Sequence, residues 1–226
     1  MRFEKLFIGT TNPGKMREFS NKLKEFNLPI EFFGEDAPET HYTFIENAIE
    51  KAKFYSEKTD HPVVSDDSGL IVDHLVGLRG FDLPIPLPGV FSMRFCDLSL
   101  EYDINGDLWI DQEDEQNLTY EDRNQANRTR LLKIIKHWAV EFREAHFVCA
   151  MVVAQKGEIL WHCERDVVGS ITHNEHGNNG FGYDPIFVPA GSSSSRTFAQ
   201  LPISEKQEID HRSQCLEQLK HWLIRK

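Results

Sequence analysis

Between Val63 and Asp73 the chain reads VVSDDSGLIVD, an apolar run interrupted at its centre by two adjacent acids between serines. A run of this kind belongs in a core, yet burying an unpaired carboxylate costs on the order of several kcal/mol. Whatever the chain folds into must therefore bring water, hydrogen-bond donors or a cation to Asp66 and Asp67. Two acids at a strand end, flanked by the small residues Ser65 and Ser68, make a hard-oxygen site suited to magnesium. The plain alternative is an Asx-turn joining two strands.

Around this stretch the sequence alternates strands and helices. KLFIGTT predicts a short buried strand entering a turn, and Met16, Phe19, Leu23 and Phe26 then recur at helical spacing until Pro29. Thr43 and Glu46 form a capping-box pattern at the start of a helix whose apolar face continues through Ala48, Ala52 and Tyr55. PVVSDDSGLIVDHL reads as strand, polar loop, strand. Residues 76–90, with Gly77, Gly80, Gly89, Pro84, Pro86 and Pro88, are expected as an ordered surface loop. From Asp97 to Asp122 the chain carries ten acids and no lysine or arginine, which suggests a solvated, mobile face.

Within that acidic stretch Asp103, Asn105, Asp107 and Asp111 faintly resemble a calcium loop. Leu108 stands where the sharp turn wants glycine, and Asp114 replaces the bidentate glutamate, which argues against calcium. NRTRLLKIIKHWAVEF is a helix by the spacing of Leu131, Ile134, Ile135 and Trp138. HFVCAMVVAQ and EILWHCERDVVGSI, separated by Lys156 and Gly157, form a hairpin pattern. A last amphipathic helix uses Ile209, Leu216, Leu219 and Leu223. The fold class is α/β.

At 226 residues, 40% hydrophobic and 27% charged, the chain can bury a core as one large domain or two small lobes. A net charge of −11 excludes a general nucleic-acid or anionic-membrane binder, because phosphate backbones select for a surplus of Lys and Arg. Any phosphate site must be local. Cys96, Cys149, Cys163 and Cys215 form no CxxC pair and read as reduced core thiols, so structural zinc is not expected. The N-terminal apolar stretch is too short for a signal sequence or a membrane span, and a cytoplasmic location is expected.

Four stretches carry chemistry. GTTNPGKM offers a turn leading into a helix N-terminus with Lys15 as a point charge, a geometry suited to phosphate. Gly9, Gly14 and Lys15 fit the start of a Walker A loop, but Met16 replaces the magnesium-binding Ser or Thr. Glu46 either closes its capping box or reaches across as a metal ligand. GNNGFGYDPIF presents Phe181 and Tyr183 as flat stacking surfaces and Asp184 as an acceptor for ring nitrogens, or else a hairpin core. EKQEIDHR clusters Lys206, His211 and Arg212 at a helix start, facing either a ligand or solvent.

Taken together and in order, TTNPGK, TFIENAIEKA, SDDSGLIVD, PGVFSMRF, HFVCAMVVAQ, GFGYDPIFVP, TFAQL and EKQEIDHR resemble the inosine triphosphate pyrophosphatase family, the noncanonical purine nucleoside triphosphate pyrophosphatases. The blocks span nearly the whole chain. The resemblance implies a single two-lobed α/β domain over residues 1–226, with a central mixed sheet, a nucleotide cleft between the lobes, and assembly as a homodimer. It implies magnesium-dependent hydrolysis of ITP, dITP and XTP to the monophosphate and pyrophosphate. Carried onto matching positions, Thr10, Thr11, Asn12, Pro13, Gly14 and Lys15 hold the phosphates. Glu46 and Asp67 hold magnesium, and Asp67 is the proton acceptor, a role that Asp66 could share. Ser68, Phe181, Gly182, Tyr183, Asp184, Lys206, His211 and Arg212 contact substrate, and Lys15 and Lys206 stabilise charge on the leaving pyrophosphate. Lys51 matches without a clear role.

A donor from His211 or Arg212 facing the C6 carbonyl of hypoxanthine would disfavour adenine, which presents an amino group there. Two rivals remain at the level of sequence: a P-loop-like NTPase releasing terminal phosphate, and a catalytically degenerate nucleotide-binding module. The segment from Asp73 to Pro88 and the acidic stretch after Phe95 depart from the family pattern, away from the catalytic blocks.

Overall fold

The structure, a computed structural model, describes residues 3–24, 28–80, 83–113, 117–191 and 195–224. The chain forms two compact units. One comprises Met1–Ser68, Val148–Asp166 and Gln207–Lys226, the other Gly69–Phe147 and Val167–Lys206. In chain order the elements are β1 (Leu6–Gly9), α1 (Pro13–Leu23), β2 (Ile30–Phe32), α2 (Phe44–Ser56), β3 (Val63–Arg79), β4 (Leu83–Pro88), β5 (Leu98–Tyr102), β6 (Leu108–Glu113), α3 (Tyr120–Ile134), β7 (Glu144–Gln155), β8 (Glu158–Ile171), β9 (Phe187–Pro189), α4 (Ile203–Ile209) and α5 (His211–Ile224). Among the described residues nine strands join one sheet, with the path β2-β1-β3-β7-β8-β9; β4 and β6 also pair with β3, and β5 with β6. The sheet is mixed: β1 runs parallel to β2 and β3, and β3 antiparallel to β4.

In the first unit the strand residues Leu6, Ile8, Val64, Met151 and Val153 pack with Phe19 and Leu23 of α1 and with Leu216, Leu219 and Leu223 of α5. Burying each such side chain contributes about 1.5–3 kcal/mol. Of the apolar spacing anticipated for α1, Phe19 and Leu23 make this core, Met16 is only half-buried, and Phe26 lies outside the described residues. Pro13 opens α1, where its fixed φ and missing N–H cost nothing. The second unit has its own aromatic cluster, with Phe187 at 4.7 Å from Phe147 and 5.1 Å from Phe198, centroid to centroid. Beside it the buried Arg143 donates to the carbonyls of Ile171, Ile135 and Thr172.

Four expectations are corrected. VVSDDSGLIVD is neither a turn nor two strands, because β3 runs unbroken through the acids; side-chain donors meet the carboxylates inside the ladder, so the chain need not leave it. Residues 76–90 are mostly a hairpin arm of β3 and β4 rather than a loop. Pro84, Pro86 and Pro88 recur at every second position, so their missing N–H groups fall on one edge and the other stays free to pair. The acidic stretch is likewise ordered into β5 and β6, with Leu98, Leu108 and Ile110 buried. At its turn Asp103 accepts from the amides of Asn105 and Asp107, and Gly106 has φ +86°, so Asp103 shapes a bend. The Asp111 side chain and Asp114 lie outside the described residues. Finally, the last helix is two, α4 and α5, and Ile209 at the end of α4 is exposed. The β7–β8 hairpin stands where the sequence placed it, with Lys156 and Gly157 both at positive φ in the turn.

Candidate active site

Successive residues of a strand point to opposite faces, so Asp66 and Asp67 meet different partners although both are buried. Asp66 Oδ2 lies 3.0 Å from Lys15 Nζ, and Arg212 donates to it from Nη2 at 3.1 Å and Nε at 3.3 Å. Cys149 Sγ approaches the same oxygen at 3.9 Å. Burial alone would raise this carboxyl's pKa, but the Lys15 and Arg212 charges overcome it and hold the group well below the usual carboxylate range. Arg212 is 2% exposed, and it also donates to Glu18 and to the Ser68 hydroxyl. Oδ1 of Asp66 has no hydrogen-bond partner among the described residues.

Asp67 is less well compensated. Its Oδ2 accepts from Asn47 Nδ2 at 3.1 Å and its Oδ1 from Lys51 Nζ at 3.2 Å. The same ammonium lies 2.6 Å from Glu39 Oε1, so one lysine of α2 gathers two carboxylates. Burial pushes the Asp67 carboxyl above its ordinary value; Lys51 opposes that and Glu39 adds to it. Lys51, whose burial would lower it, is instead raised by Asp67 and Glu39. Glu46 bonds instead at the start of its own helix. Its carboxylate accepts from the Thr43 hydroxyl at 2.6 Å, and its amide donates to Thr43 Oγ1, which is the capping-box role. Glu39 was not singled out from the sequence. Only its place one loop before the capped helix that carries Lys51 marks it, and that needs the fold to be seen.

The Thr10–Lys15 turn departs from an open phosphate cradle. Asn12 caps α1, its Oδ1 accepting from the amides of Gly14 at 2.9 Å and Lys15 at 3.2 Å. The Met16 amide is bonded to the Asn12 carbonyl, and the Asn12 amide to Thr10 Oγ1. Pro13 has no N–H. Side chains, chiefly those of Thr10, Thr11 and Lys15, are thus the groups here that would meet an anion, with Thr11 Oγ1 already bonded to Asp36.

In the second unit the Phe181–Asp184 segment wraps round a carboxylate. Asp184 Oδ2 accepts from the Phe181 amide at 2.9 Å and from Lys206 Nζ at 2.7 Å. Lys206 also lies 5.2 Å from the centroid of the Phe181 ring. A Cβ on Gly180 would stand 1.9 Å from that oxygen, so only glycine allows the wrap. Tyr183, expected to share a stacking role with Phe181, is buried and donates its hydroxyl to the Ser92 carbonyl at 2.9 Å. It is an anchor. Lys206 and Asp184 are thus brought together, whereas His211 and Arg212 belong to the first unit with Asp66.

The fold and these residues place the protein in a known structural class. A HAM1 protein from Coxiella burnetii matches with a TM-score of 0.72 and 30% identity, covering 98% of both chains. A nucleoside-triphosphatase / dITP/XTP pyrophosphatase from Mycobacterium abscessus matches with a TM-score of 0.64 and 32% identity, over 95% of this chain and 98% of that one. Residues 6–222 match the Ham1 family, and the chain belongs to it. The dITP/XTP pyrophosphatase of Aquifex aeolicus is 37% identical over 221 residues, 97% of this chain and 96% of the relative. That of Bacillus subtilis is 34% identical over 217 residues, 94% and 93%. The family resemblance drawn from the sequence blocks is borne out. Among the described residues no helix is long and apolar enough to cross a membrane.

Proposed function

We propose that the protein hydrolyses noncanonical purine nucleoside triphosphates, namely ITP, dITP and XTP, to the monophosphate and pyrophosphate, and so cleanses the nucleotide pool. The observation that carries this reading is the contrast between adjacent acids: Asp66 neutralised by Lys15 and Arg212, Asp67 gathered with Glu39 on the single cation Lys51. The names of the relatives support the substrate class.

The donor set of Asp67 and Glu39 fits magnesium, which prefers one or two carboxylates and fills its shell with phosphate and water oxygens. Among the described residues no cluster of three or more His, Cys, Asp or Glu side chains forms a ready cage. Glu39 replaces Glu46 in this reading, because Glu46 is engaged in capping and Glu39 shares a partner with Asp67. When bound, magnesium would screen the phosphate charges and polarise the scissile phosphoryl group.

Asp67 is the proton acceptor for the attacking water, since burial raises its basicity while Lys51 and Asn47 fix its orientation. Asp66 is less suited to that task, because Lys15 and Arg212 hold its carboxyl well below the usual carboxylate range. It instead keeps Lys15 in place, and Lys15 with Lys206 offsets charge on the departing pyrophosphate. Arg212, with four of its donor contacts directed to Asp66, Glu18 and Ser68, sets the position of Asp66 and Ser68 rather than reading the base as the sequence alone suggested. Thr10, Thr11, Asn12, Pro13, Gly14 and Ser68 line the phosphate end. Phe181, Gly182, Asp184 and His211 serve the base, and Tyr183 supports them. The protein acts as one two-lobed domain in a cytoplasmic homodimer.

A P-loop-like reading has less support, because Asn12 occupies the amides that such a loop would aim at phosphates. The deciding experiment measures pyrophosphate and inorganic phosphate released from a panel of nucleoside triphosphates with and without magnesium. Magnesium-dependent pyrophosphate release, strongest for ITP, dITP and XTP, is expected; release of inorganic phosphate alone, or no turnover, would overturn the proposal.

A further inference from the structure

One arginine outside the roles above grips the Phe181–Asp184 segment. Arg128, on α3 and 9% exposed, donates from Nη1 to the Gly182 carbonyl at 2.8 Å. The rest of its guanidinium is also engaged, Nη2 by a hydrogen bond and Nε by an ion pair without hydrogen-bond geometry. Nη2 donates to Gln125 Oε1 at 2.7 Å, Nε lies 3.0 Å from Glu175 Oε2, and Gln125 Nε2 donates to Glu175 Oε1 at 2.9 Å. These three side chains close a ring that aims one N–H at one carbonyl.

That carbonyl belongs to a residue with φ +59°, two positions after Gly180 at φ +76°. Glycines in this region have many accessible conformations, and a charge-assisted bond selects one. The neighbouring residue of α3 adds a second fastening. Asn127 Nδ2 donates to the carbonyls of Ser92 at 3.1 Å and Met93 at 2.9 Å, and Ser92 O is also the acceptor for Tyr183. Consecutive residues of one helix thus hold the segment at Gly182 directly and at Tyr183 through Ser92.

We propose that Arg128 is a positioning residue for nucleobase recognition: by fixing the Gly182 carbonyl it presets the Phe181 ring and the Asp184 carboxylate without touching the base. The inference rests on the reading of Phe181–Asp184 as the base-contacting segment. Presetting lowers the ordering cost of binding in ground state and transition state alike, so it acts on KM and leaves kcat alone.

The test is steady-state pyrophosphate release from dITP, with inorganic tripolyphosphate as a competitive inhibitor that carries no base. Arg128→Ala is expected to raise KM for dITP about tenfold with kcat within about twofold, and to leave the inhibition constant of tripolyphosphate unchanged. Arg128→Lys should recover part of the loss, because an ammonium can reach the carbonyl but cannot close the ring. Glu175→Gln and Gln125→Ala loosen the ring with Arg128 in place, and should give the same pattern at about two- to threefold; they also serve if Arg128→Ala does not fold. Unchanged KM across these variants, or equal losses toward dITP and tripolyphosphate, would overturn the inference. A wild-type protein without dITP turnover would remove the function reading and this inference with it, whereas an active wild type with indifferent variants removes this inference alone.

Discussion

The two faces of β3 at the acidic couplet are treated in opposite ways by the same fold. On one, Asp66 meets Lys15 and Arg212 within 3.1 Å; on the other, Asp67 meets the neutral amide of Asn47 and the ammonium of Lys51, which it shares with Glu39. The first arrangement is compensated in charge, although Oδ1 of Asp66 makes no hydrogen bond among the described residues. The second leaves negative charge in excess, which is what a site must do if a cation and a proton are to be drawn to it. Adjacent residues of one type thus acquire separate electrostatic environments through their neighbours, not their identity.

Substitutions at the couplet separate the two tasks. Asp67→Asn should lower kcat by about a thousandfold, as expected for loss of a general base, with little loss of stability. Asp66→Asn should do the reverse in emphasis, destabilising by about 3–5 kcal/mol because Lys15 and Arg212 lose their buried counter-ion. Urea denaturation of both variants beside their kinetics checks the pair. If Asp66→Asn were stable and Asp67→Asn active, the division of roles would be broken.

Next in size, Glu39→Gln should raise the magnesium concentration for half-maximal activity by about tenfold, whereas Glu46→Gln should leave it unchanged and cost only about 1 kcal/mol through the cap. A magnesium titration of the two variants distinguishes them. The smallest effect is in acid. Asp66 has a folded pKa below its unfolded one, so the stability it contributes is present above about pH 4 and is lost as pH falls below that. For Asp67 the folded value is raised, so between its unfolded and folded values the unfolded state binds fewer protons and stability declines as pH rises. Denaturation midpoints measured from about pH 2 to about pH 7 should show Asp66→Asn flattening the acid loss and Asp67→Asn removing the opposing slope.

Much of this was legible in the sequence because it depends on local pattern. The capped helix after Thr43, the β7–β8 hairpin and the burial of Phe19 and Leu23 follow from spacing and turn residues. The acidic couplet announced a cost that had to be met. What was not legible depends on partners distant in sequence. Arg212 reaches Asp66 across 146 positions, and no local pattern says that its donors are committed there. Glu39 lies between β2 and α2, outside any regular element, and only the approach of Lys51 to both acids reveals it. The strand through Asp66 and Asp67 was misread for the same reason: polar residues argue for a turn unless their donors are known. The prolines of β4 misled by count, since their period of two is what lets them sit on an edge.

The unbroken run of β3 carries a further implication for how the chain tolerates change. With side chains alternating along it, a slip of one residue in its pairing with β1 would hand each carboxylate the other's neighbours. Faithful strand alignment during folding is then a condition for chemistry as well as for packing. A length change near Val63 should abolish turnover even in a protein that still collapses.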